Sequence, residues 1–273
     1  GKERVRNTPI CESAIVGAAL GLSIKGHKAV MEMQFSDFVT VGFNQIVNNL
    51  AKLHYRWQEN ADVVIRMPTG AGVGAGPFHS QSTEAWFTHT PGLKIVYPAF
   101  PGDAKGLLAA AIEDPNPVMV FEHKALYRSI KEEVNDAYYT IELGKANLLK
   151  EGNQVTIITY GMGVHWALEA LNENPEIEAD LIDLRTLAPL DKEAILNSVK
   201  KTGKALVLHE DCMTGGFGAD ISSLISENCF RYLDAPVIRC SSLDTPVPFS
   251  SELEKDFLAK SRLKKKIIQL KSY

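Results

Sequence analysis

The stretch Val155-Thr-Ile-Ile-Thr-Tyr-Gly-Met-Gly-Val-His-Trp-Ala-Leu-Glu-Ala-Leu-Asn172 joins a strand-like run to a helix-like pattern through a glycine turn. Residues 155–160 are rich in β-branched side chains, whereas apolar side chains recur at helical spacing over 163–172. Such a unit is typical of an α/β protein, because parallel strands need a crossover connection that a helix usually supplies.

The same alternation extends in both directions along the chain, whose 273 residues are enough for two medium domains. Candidate strands are 29–33, 63–67, 94–97, 117–122, 155–160, 177–183, 205–210 and 237–240. Candidate helices lie at about 13–24, 40–57, 101–113, 163–172, 190–201, 216–230 and 251–261. The polar stretch Lys131–Ala137 predicts a boundary. The sequence therefore predicts an α/β fold with two parallel-sheet layers.

Composition excludes several classes of protein. The net charge of −4 gives no reason to expect a nucleic-acid partner, and the basic stretch 260–271 is interpreted as a solvated helix face. No apolar run is long enough and free enough of polar or charged residues to span a membrane. The four cysteines, at positions 11, 212, 229 and 240, form no CxxC pair. They indicate neither a disulfide framework nor a zinc site, and they suit a reducing compartment.

The segment Thr8-Pro9-Ile10-Cys11-Glu12 precedes a run that is almost entirely apolar up to Leu22. Thr8 is a good helix cap and Pro9 suits a first helical turn, so we expect a helix that starts here. Because the run has almost no polar face, we expect it to be buried on nearly all sides. Glu12 would then be an interior carboxylate, which is costly without a partner or a chemical task. Stabilisation by the helix dipole is the structural alternative.

A glycine-rich loop follows the candidate strand 63–67. Gly70, Gly72 and Ala75 fit a loose dinucleotide-binding fingerprint, but Pro77 interrupts any helix and no acidic residue ends the next strand. The glycines are better explained by a sharp turn or by a close approach of the backbone to a ligand or partner. His79, in the same loop, is a candidate proton carrier; hydrogen bonding within its own loop is the alternative.

Two other segments join strands to helices. Gln34-Phe-Ser-Asp-Phe38 lies at a strand end, where α/β proteins bind ligands. Phe38 is able to stack on a planar ring of a ligand; the alternative is that its side chain belongs to the hydrophobic core. In the segment His209–Gly218 the His, Glu, Asp and Cys residues are consecutive, which is too close in sequence for a tetrahedral metal site. Turns that pack in the core explain the segment better than a metal or anion site.

Taken together, these segments resemble the beta subunit of the thiamine diphosphate-dependent, decarboxylating component of 2-oxo acid dehydrogenase complexes. The agreement runs from end to end, in the family's order and spacing. The segments that carry it are Thr8–Glu12, Glu32–Phe38, His79–Ser82, Pro91–Val96, Asp103–Leu107, Asp114–Pro117, Leu126–Arg128, Asp183–Leu187 and Asp234–Arg239. The resemblance implies a pyrimidine-binding domain over 1–135, lacking its first elements, and a transketolase-type carboxyl-terminal domain over 138–273.

The resemblance also implies roles for single residues. Glu12 corresponds to the carboxylate that hydrogen-bonds the cofactor's aminopyrimidine, and Ile10 to the residue whose carbonyl holds the ring's amino group. Gln34 and Phe38 correspond to residues that line the pyrimidine, and His79 to a histidine implicated in acyl transfer to lipoate. A potassium loop found in some members corresponds to Ala61, Val63, Val64, Ala111, Asp114 and Asn116.

The implied partners are an alpha subunit or alpha half in an alpha2beta2-type assembly, a second beta chain, and the subunit-binding domain of the lipoyl acyltransferase core. The magnesium and diphosphate motif, absent from this sequence, belongs to the alpha part in this family. We therefore expect no activity without it. Family beta subunits also carry a further helix and strand before the position at which this chain begins. Fusion to an alpha part is one explanation, and a bacterial cytoplasm is favoured over a mitochondrial matrix.

Three alternatives remain at this point. A branched-chain 2-oxo acid is the favoured substrate, with pyruvate and acetoin as the nearest competitors. An assembly module without a complete active site is a second possibility, against which Glu12 and His79 argue together. A stand-alone transketolase-like or deoxyxylulose-phosphate synthase enzyme is disfavoured, because the diphosphate motif and a larger amino-terminal domain are both missing.

Overall fold

Strands and helices alternate along residues 1–273, all of which the computed structural model describes. The strands are β1 (Ala29–Glu32), β2 (Val63–Thr69), β3 (Lys94–Val96), β4 (Val118–His123), β5 (Asn147–Lys150), β6 (Val155–Thr159), β7 (Ala179–Asp183), β8 (Thr186–Ala188), β9 (Ala205–Cys212) and β10 (Ile238–Ser242). The helices are α1 (Glu12–Ile24), α2 (Val39–Asn44), α3 (Leu53–Trp57), α4 (Glu84–Thr88), α5 (Pro101–Glu113), α6 (Leu126–Ser129), α7 (Met162–Glu173), α8 (Lys192–Thr202), α9 (Gly218–Cys229), α10 (Ser251–Phe257) and α11 (Lys260–Lys271).

The strands form two five-stranded sheets, in the orders β1-β2-β4-β3-β8 and β10-β9-β6-β7-β5. Most neighbours are parallel, which confirms the predicted α/β fold. One edge strand of each sheet is antiparallel: β8 pairs with β3, and β5 pairs with β7. The loop between β5 and β6 is too short for a crossover, so β5 runs opposite to the parallel strands. Both edge strands are short, and the sequence pattern did not predict them.

The second half of the chain completes the first sheet. β8 follows β7 after a sharp turn in which Arg185 adopts a left-handed φ of 55°. That turn leads the backbone to β3, where Ala188 pairs with Ile95. A single cluster of buried side chains then continues from Ile65 in the first sheet to Ile158 in the second. The two halves therefore share a hydrophobic core.

The prediction of an interior first helix is wrong for this chain. α1 begins at Glu12 rather than at Pro9, so Thr8 does not cap it and residues 1–11 lie on the surface. Its buried residues are Val16, Ala19 and Ser23 alone, whereas Leu22 is 50% exposed. An all-apolar helix needs cover on every side, and the chain covers α1 on one side only.

Two other predicted helices are divided. The pattern over 40–57 becomes α2, a π-helical turn at Gln45–Leu50, and α3, which ends where Gln58 adopts a left-handed φ of 58°. The pattern over 251–261 breaks at Leu258, whose backbone is extended, and α11 begins at Lys260. Leu263, Ile267 and Leu270 are buried along α11, so its lysines face outward as the sequence predicted. No helix is long and apolar enough to cross a membrane.

Candidate functional site

An aromatic cluster lies where β1 ends. The Phe35 and Phe38 rings flank the loop residue His79, whose imidazole meets both edge-on, at centroid distances of 5.1 and 5.5 Å. All three rings are half-buried, and the His79 ring makes no hydrogen bond to another residue. The structure thus brings together two predicted site residues, His79 and Phe38, which are 41 positions apart in the sequence. It also adds Phe35, which the sequence did not single out.

The remaining predicted cofactor residues are exposed or partly exposed on the surface. Gln34 is exposed two residues after β1, and Ile10 is 96% exposed at a bend before α1. Glu12 is partly exposed at the first turn of α1. A Cβ added at Gly42 would lie 3.4 Å from the Glu12 carbonyl oxygen, so the start of α1 packs against α2, which follows Phe38 directly.

A short hydrogen-bonded turn fixes the far end of the loop. The Ser36 hydroxyl donates to the Gln81 carbonyl at 3.1 Å, and the Thr69 hydroxyl donates to the same carbonyl at 2.9 Å. Asp37 accepts from both the backbone and side-chain amides of Gln81, at 3.1 and 3.0 Å. These bonds tie the 3₁₀ turn that carries Phe38 to the segment immediately after His79.

The near end of the loop is held by acidic side chains from the second half. Glu210 accepts from the Ala71 N–H at 2.6 Å, and Glu254 accepts from the N–H groups of Gly72 and Gly74 at 2.9 and 3.2 Å. Sequence reasoning missed both glutamates, because each is more than 130 residues from its partner. Burial raises the pKa of Glu210, but the opposing contributions of His123, Ala71 and Lys124 outweigh it, and the pKa is lowered overall.

A second buried contact joins the halves behind the loop. The Tyr160 hydroxyl donates to Glu84 Oε1 at 2.9 Å, and both side chains are buried. Burial, followed by the negative charge of Asp211, raises the pKa of Glu84 to about 8. Burial in the core therefore favours the protonated, neutral form of this carboxyl group.

The candidate potassium residues lie together at the opposite end of the first sheet. The Ala61 N–H donates to the Pro115 carbonyl at 3.1 Å, so the segments before β2 and after α5 meet. The Asp114 carboxylate pairs with Lys94 and accepts from Asn116. Because these partners occupy the carboxylate, backbone carbonyls would have to supply the ligands. No group of three or more His, Cys, Asp or Glu side chains is arranged to hold a metal ion.

Comparisons with known proteins agree with this geometry. Residues 1–130 match the transketolase pyrimidine-binding domain, and residues 144–262 match the transketolase C-terminal domain. The chain is 46% identical over 263 residues to the 2-oxoisovalerate dehydrogenase subunit beta of Bacillus subtilis (strain 168), with 94% of this chain and 80% of that protein covered. The chain belongs to the beta-subunit family of the thiamine diphosphate-dependent 2-oxo acid dehydrogenases.

Other members of this beta-subunit family show the same likeness. The mitochondrial 2-oxoisovalerate dehydrogenase subunit beta 2 of Arabidopsis thaliana is 46% identical over 257 residues, covering 92% of this chain and 72% of the relative. The pyruvate dehydrogenase E1 component subunit beta of Bacillus subtilis (strain 168) is 43% identical over 256 residues, covering 92% and 78%. The predicted family and fold class are confirmed.

A solved structure extends the comparison to three dimensions. The fold superposes on the split-gene transketolase described as an inactive beta4 tetramer, with a TM-score of 0.81 and 26% identity. The match covers 99% of this chain and 84% of the other. Relatives from a bacterium and from mitochondria are similar to a comparable degree, so they do not distinguish between the two compartments.

Proposed function

We propose that this chain is the beta part of an enzyme that oxidatively decarboxylates a branched-chain 2-oxo acid and transfers the acyl group to lipoate. The observation that carries the proposal is the cluster of Phe35, Phe38 and His79 beside the start of α1. It combines flat apolar rings, a free imidazole and, on the adjoining helix, the Glu12 carboxylate. The identity to 2-oxoisovalerate dehydrogenase beta subunits favours a branched-chain substrate over pyruvate.

The residues on this face fit one end of thiamine diphosphate. The Phe38 ring is half-buried and able to stack on a pyrimidine, and the Ile10 carbonyl and the Glu12 carboxylate are accessible as acceptors. Gln34 is exposed next to them. When bound, the cofactor supplies an electron sink for the carbanion that decarboxylation leaves. The residues of this chain fit the pyrimidine ring, and we assign the diphosphate and its magnesium ion to the alpha part.

Glu12 and His79 take different tasks in this proposal. Glu12 holds and moves a proton at the pyrimidine ring, because a carboxylate that is desolvated by a closing partner becomes an effective general acid and base. The His79 imidazole, which no other residue occupies, is free to exchange a proton with the lipoyl group during acyl transfer. Phe35 and Phe38 fix the plane of that imidazole from two sides.

The open face supports an obligatory alpha partner. α1 leaves Leu22 and Ile24 at least half exposed, and Val41, on the α2 helix that packs against α1, is also exposed. Apolar side chains grouped in this way typically mark a protein interface. We propose that an alpha subunit, or an alpha half of the same polypeptide, covers this face in an alpha2beta2-type assembly. The chain alone would then be inactive.

Three further assignments complete the proposal. The lipoyl acyltransferase core would bind the second domain, over 138–273, through its subunit-binding domain. A potassium ion would be held by backbone carbonyls at residues 61–64 and 111–116. The bacterial cytoplasm is the proposed compartment, and the four unpaired cysteines suit its reducing conditions.

Substrate class is tested by measuring carbon dioxide release from a panel of 2-oxo acids by the chain assembled with its alpha part, thiamine diphosphate and magnesium. We expect faster release from 3-methyl-2-oxobutanoate than from pyruvate. Release from pyruvate alone would overturn the branched-chain assignment and retain the reaction. No release from any member of the panel would favour an assembly role.

The role of His79 is tested by separating the two half-reactions. We expect His79→Ala to slow acylation of a lipoyl domain by about 100-fold, while decarboxylation measured with an artificial electron acceptor changes much less. The exposed His89, ten residues further along, provides a matched control as His89→Ala. Equal loss in both half-reactions would show that His79 acts instead by positioning the cofactor.

A further inference from the structure

The glycine-rich loop that carries His79 has little structure of its own. Between β2 and α4 the backbone forms no regular element, and Gly70, Gly72, Gly74 and Gly76 all have positive φ, from 68 to 92°. Only glycine adopts these angles without strain, so the loop is free to take many conformations. Something outside the loop must select one of them.

The second half of the chain makes that selection through one carboxylate in particular. Glu254 lies on α10, is 5% exposed, and directs both oxygens to the loop, where the N–H groups of Gly72 and Gly74 donate to it. These two bonds are the only hydrogen bonds that its side chain makes. Backbone N–H groups that converge in this way form a nest for an anion, and a buried carboxylate fills it.

The contacts around Glu254 extend towards His79. Phe249, just before α10, packs on Gly76 so closely that an added Cβ there would lie 2.2 Å from its ring. The Gly76 carbonyl in turn accepts from the His79 N–H at 3.5 Å. The loop is therefore held at Gly72 and Gly74. His79, whose imidazole contacts Phe35 and Phe38, is five residues after Gly74.

We propose that Glu254 is a positioning residue for His79: it reaches from the carboxyl-terminal domain to set the conformation of the loop over 70–79. The inference rests on the proposed acyl-transfer role of His79. It assigns a function in the active site to a residue of the second domain that is 175 positions away in the sequence and that contacts the loop at Gly72 and Gly74. Glu210, bonded to the Ala71 N–H, fixes the start of the same loop.

A purely structural role for Glu254 makes different predictions. If it served only folding, its loss would lower thermal stability and reduce both half-reactions together with the amount of folded protein. A positioning role predicts selective loss of acyl transfer. Misplacing a catalytic group by about 1 Å can reduce a rate by roughly 100-fold, so we expect acyl transfer to fall by about ten- to 100-fold.

The test uses Glu254→Gln in the enzyme assembled with its alpha part. The amide keeps the shape of the side chain but offers one acceptor oxygen and places an NH₂ group against a backbone N–H. Glu252→Gln is the matched control, because Glu252 is exposed on the same helix and makes no hydrogen bond. Three readouts are compared: amide hydrogen exchange over 70–79, decarboxylation with an artificial acceptor, and acylation of a lipoyl domain.

We expect faster exchange over 70–79 and selective loss of acylation in Glu254→Gln, with the Glu252→Gln enzyme matching the parent. Unchanged exchange would overturn the proposal, as would faster exchange with a parental acylation rate. The His79→Ala enzyme separates this result from the proposed function. If that variant acylates lipoate at the parent rate, the role of His79 fails, whereas the exchange data still report whether Glu254 holds the loop.

Discussion

The junction between the two halves and the face that carries Glu12 differ in burial. The chain itself buries the side chains at the junction, whereas it leaves those on the face exposed. At the junction several polar and charged side chains have partners from the other half: Arg185 with Asp103, Tyr160 with Glu84, Glu254 with the glycine loop. On the face, Ile10, Gln34 and Leu22 are exposed. The chain thus buries the groups that join its two halves and leaves the proposed site open.

This contrast fits our proposal that the chain folds by itself and depends on a partner for its chemistry. The junction is desolvated by the chain itself, and burial there raises the pKa of Glu84. On the open face Glu12 is still in contact with water. In our proposal a partner surface that covers this face desolvates that carboxylate and makes it an effective acid and base.

The largest expected effect comes from substituting the open face. Glu12→Gln keeps the shape of the side chain and removes its proton-carrying group, so carbon dioxide release by the assembled enzyme should fall by about 10²- to 10⁴-fold. Thermal unfolding of the chain should be unchanged, because Glu12 makes no side-chain hydrogen bond within it. Glu3→Gln, at an exposed position in the same segment, is the control. Release at the parent rate would show that Glu12 has no catalytic role.

The next effect concerns the junction. Asp103→Asn leaves the Arg185 guanidinium, which now donates to both Asp103 oxygens at 2.8 and 2.6 Å, without its counter-charge. Losing one partner of a largely buried pair should lower the free energy of unfolding by about 3 kcal/mol in urea denaturation. The exposed pair of Lys260 and Glu169 provides the control, since Glu169→Gln should cost less than about 1 kcal/mol. An equal loss of unfolding free energy in the two variants would mean that the ion pair at the junction is no less hydrated than the pair on the surface.

A smaller effect should appear in the pH dependence of stability. Because the pKa of Glu84 is raised to about 8 in the folded chain, folding favours its protonated form, and this contribution is lost as pH rises from the ordinary carboxyl range through 8. Glu84→Gln keeps an acceptor for Tyr160 and cannot ionise. Relative to the parent, it should gain roughly 2 kcal/mol in unfolding free energy between pH 5 and pH 6.5. The exposed Glu176→Gln is the control, and parallel pH profiles for all three proteins would contradict the assignment of Glu84.

The smallest effect on folding is expected at Leu22. Its side chain is half exposed on α1, so Leu22→Ser should change the unfolding free energy of the chain by less than about 0.5 kcal/mol. Assembly with the alpha part, measured by sedimentation or mass photometry, should nevertheless weaken. Leu148→Ser, at a comparably exposed leucine on β5, should leave assembly intact. If both variants assembled like the parent, the alpha part would have to bind elsewhere.

Local patterns in the sequence predicted the regular elements well. The structure has α5 over residues 101–113, as predicted, because Pro101 suits a first turn and the apolar residues beyond it keep helical spacing. β8 was not predicted, since three residues are too few for a pattern and its partner strand lies some 90 positions away. Thr8 and Pro9 gave a false helix start: their chemistry suits a first turn, but the helix begins three residues later.

The candidate site was predictable only in part, for the same physical reason. Phe38 and His79 were found from short motifs, and the structure brings their rings together. Phe35 was overlooked as one of several aromatic residues near β1. Glu210 and Glu254 were beyond sequence reasoning, because a carboxylate that binds backbone amides leaves no pattern of side chains in the segment it holds.

The insertion of β8 into the first sheet has a consequence for synthesis on the ribosome. β3 is complete at Val96, yet its edge stays unpaired until Ala188 has been made, so the first sheet waits for some 90 further residues before it closes. During that interval the edge is open to other nascent chains. The first sheet therefore reaches its full width only after residues 186–188 have emerged, long after the last of its other strands.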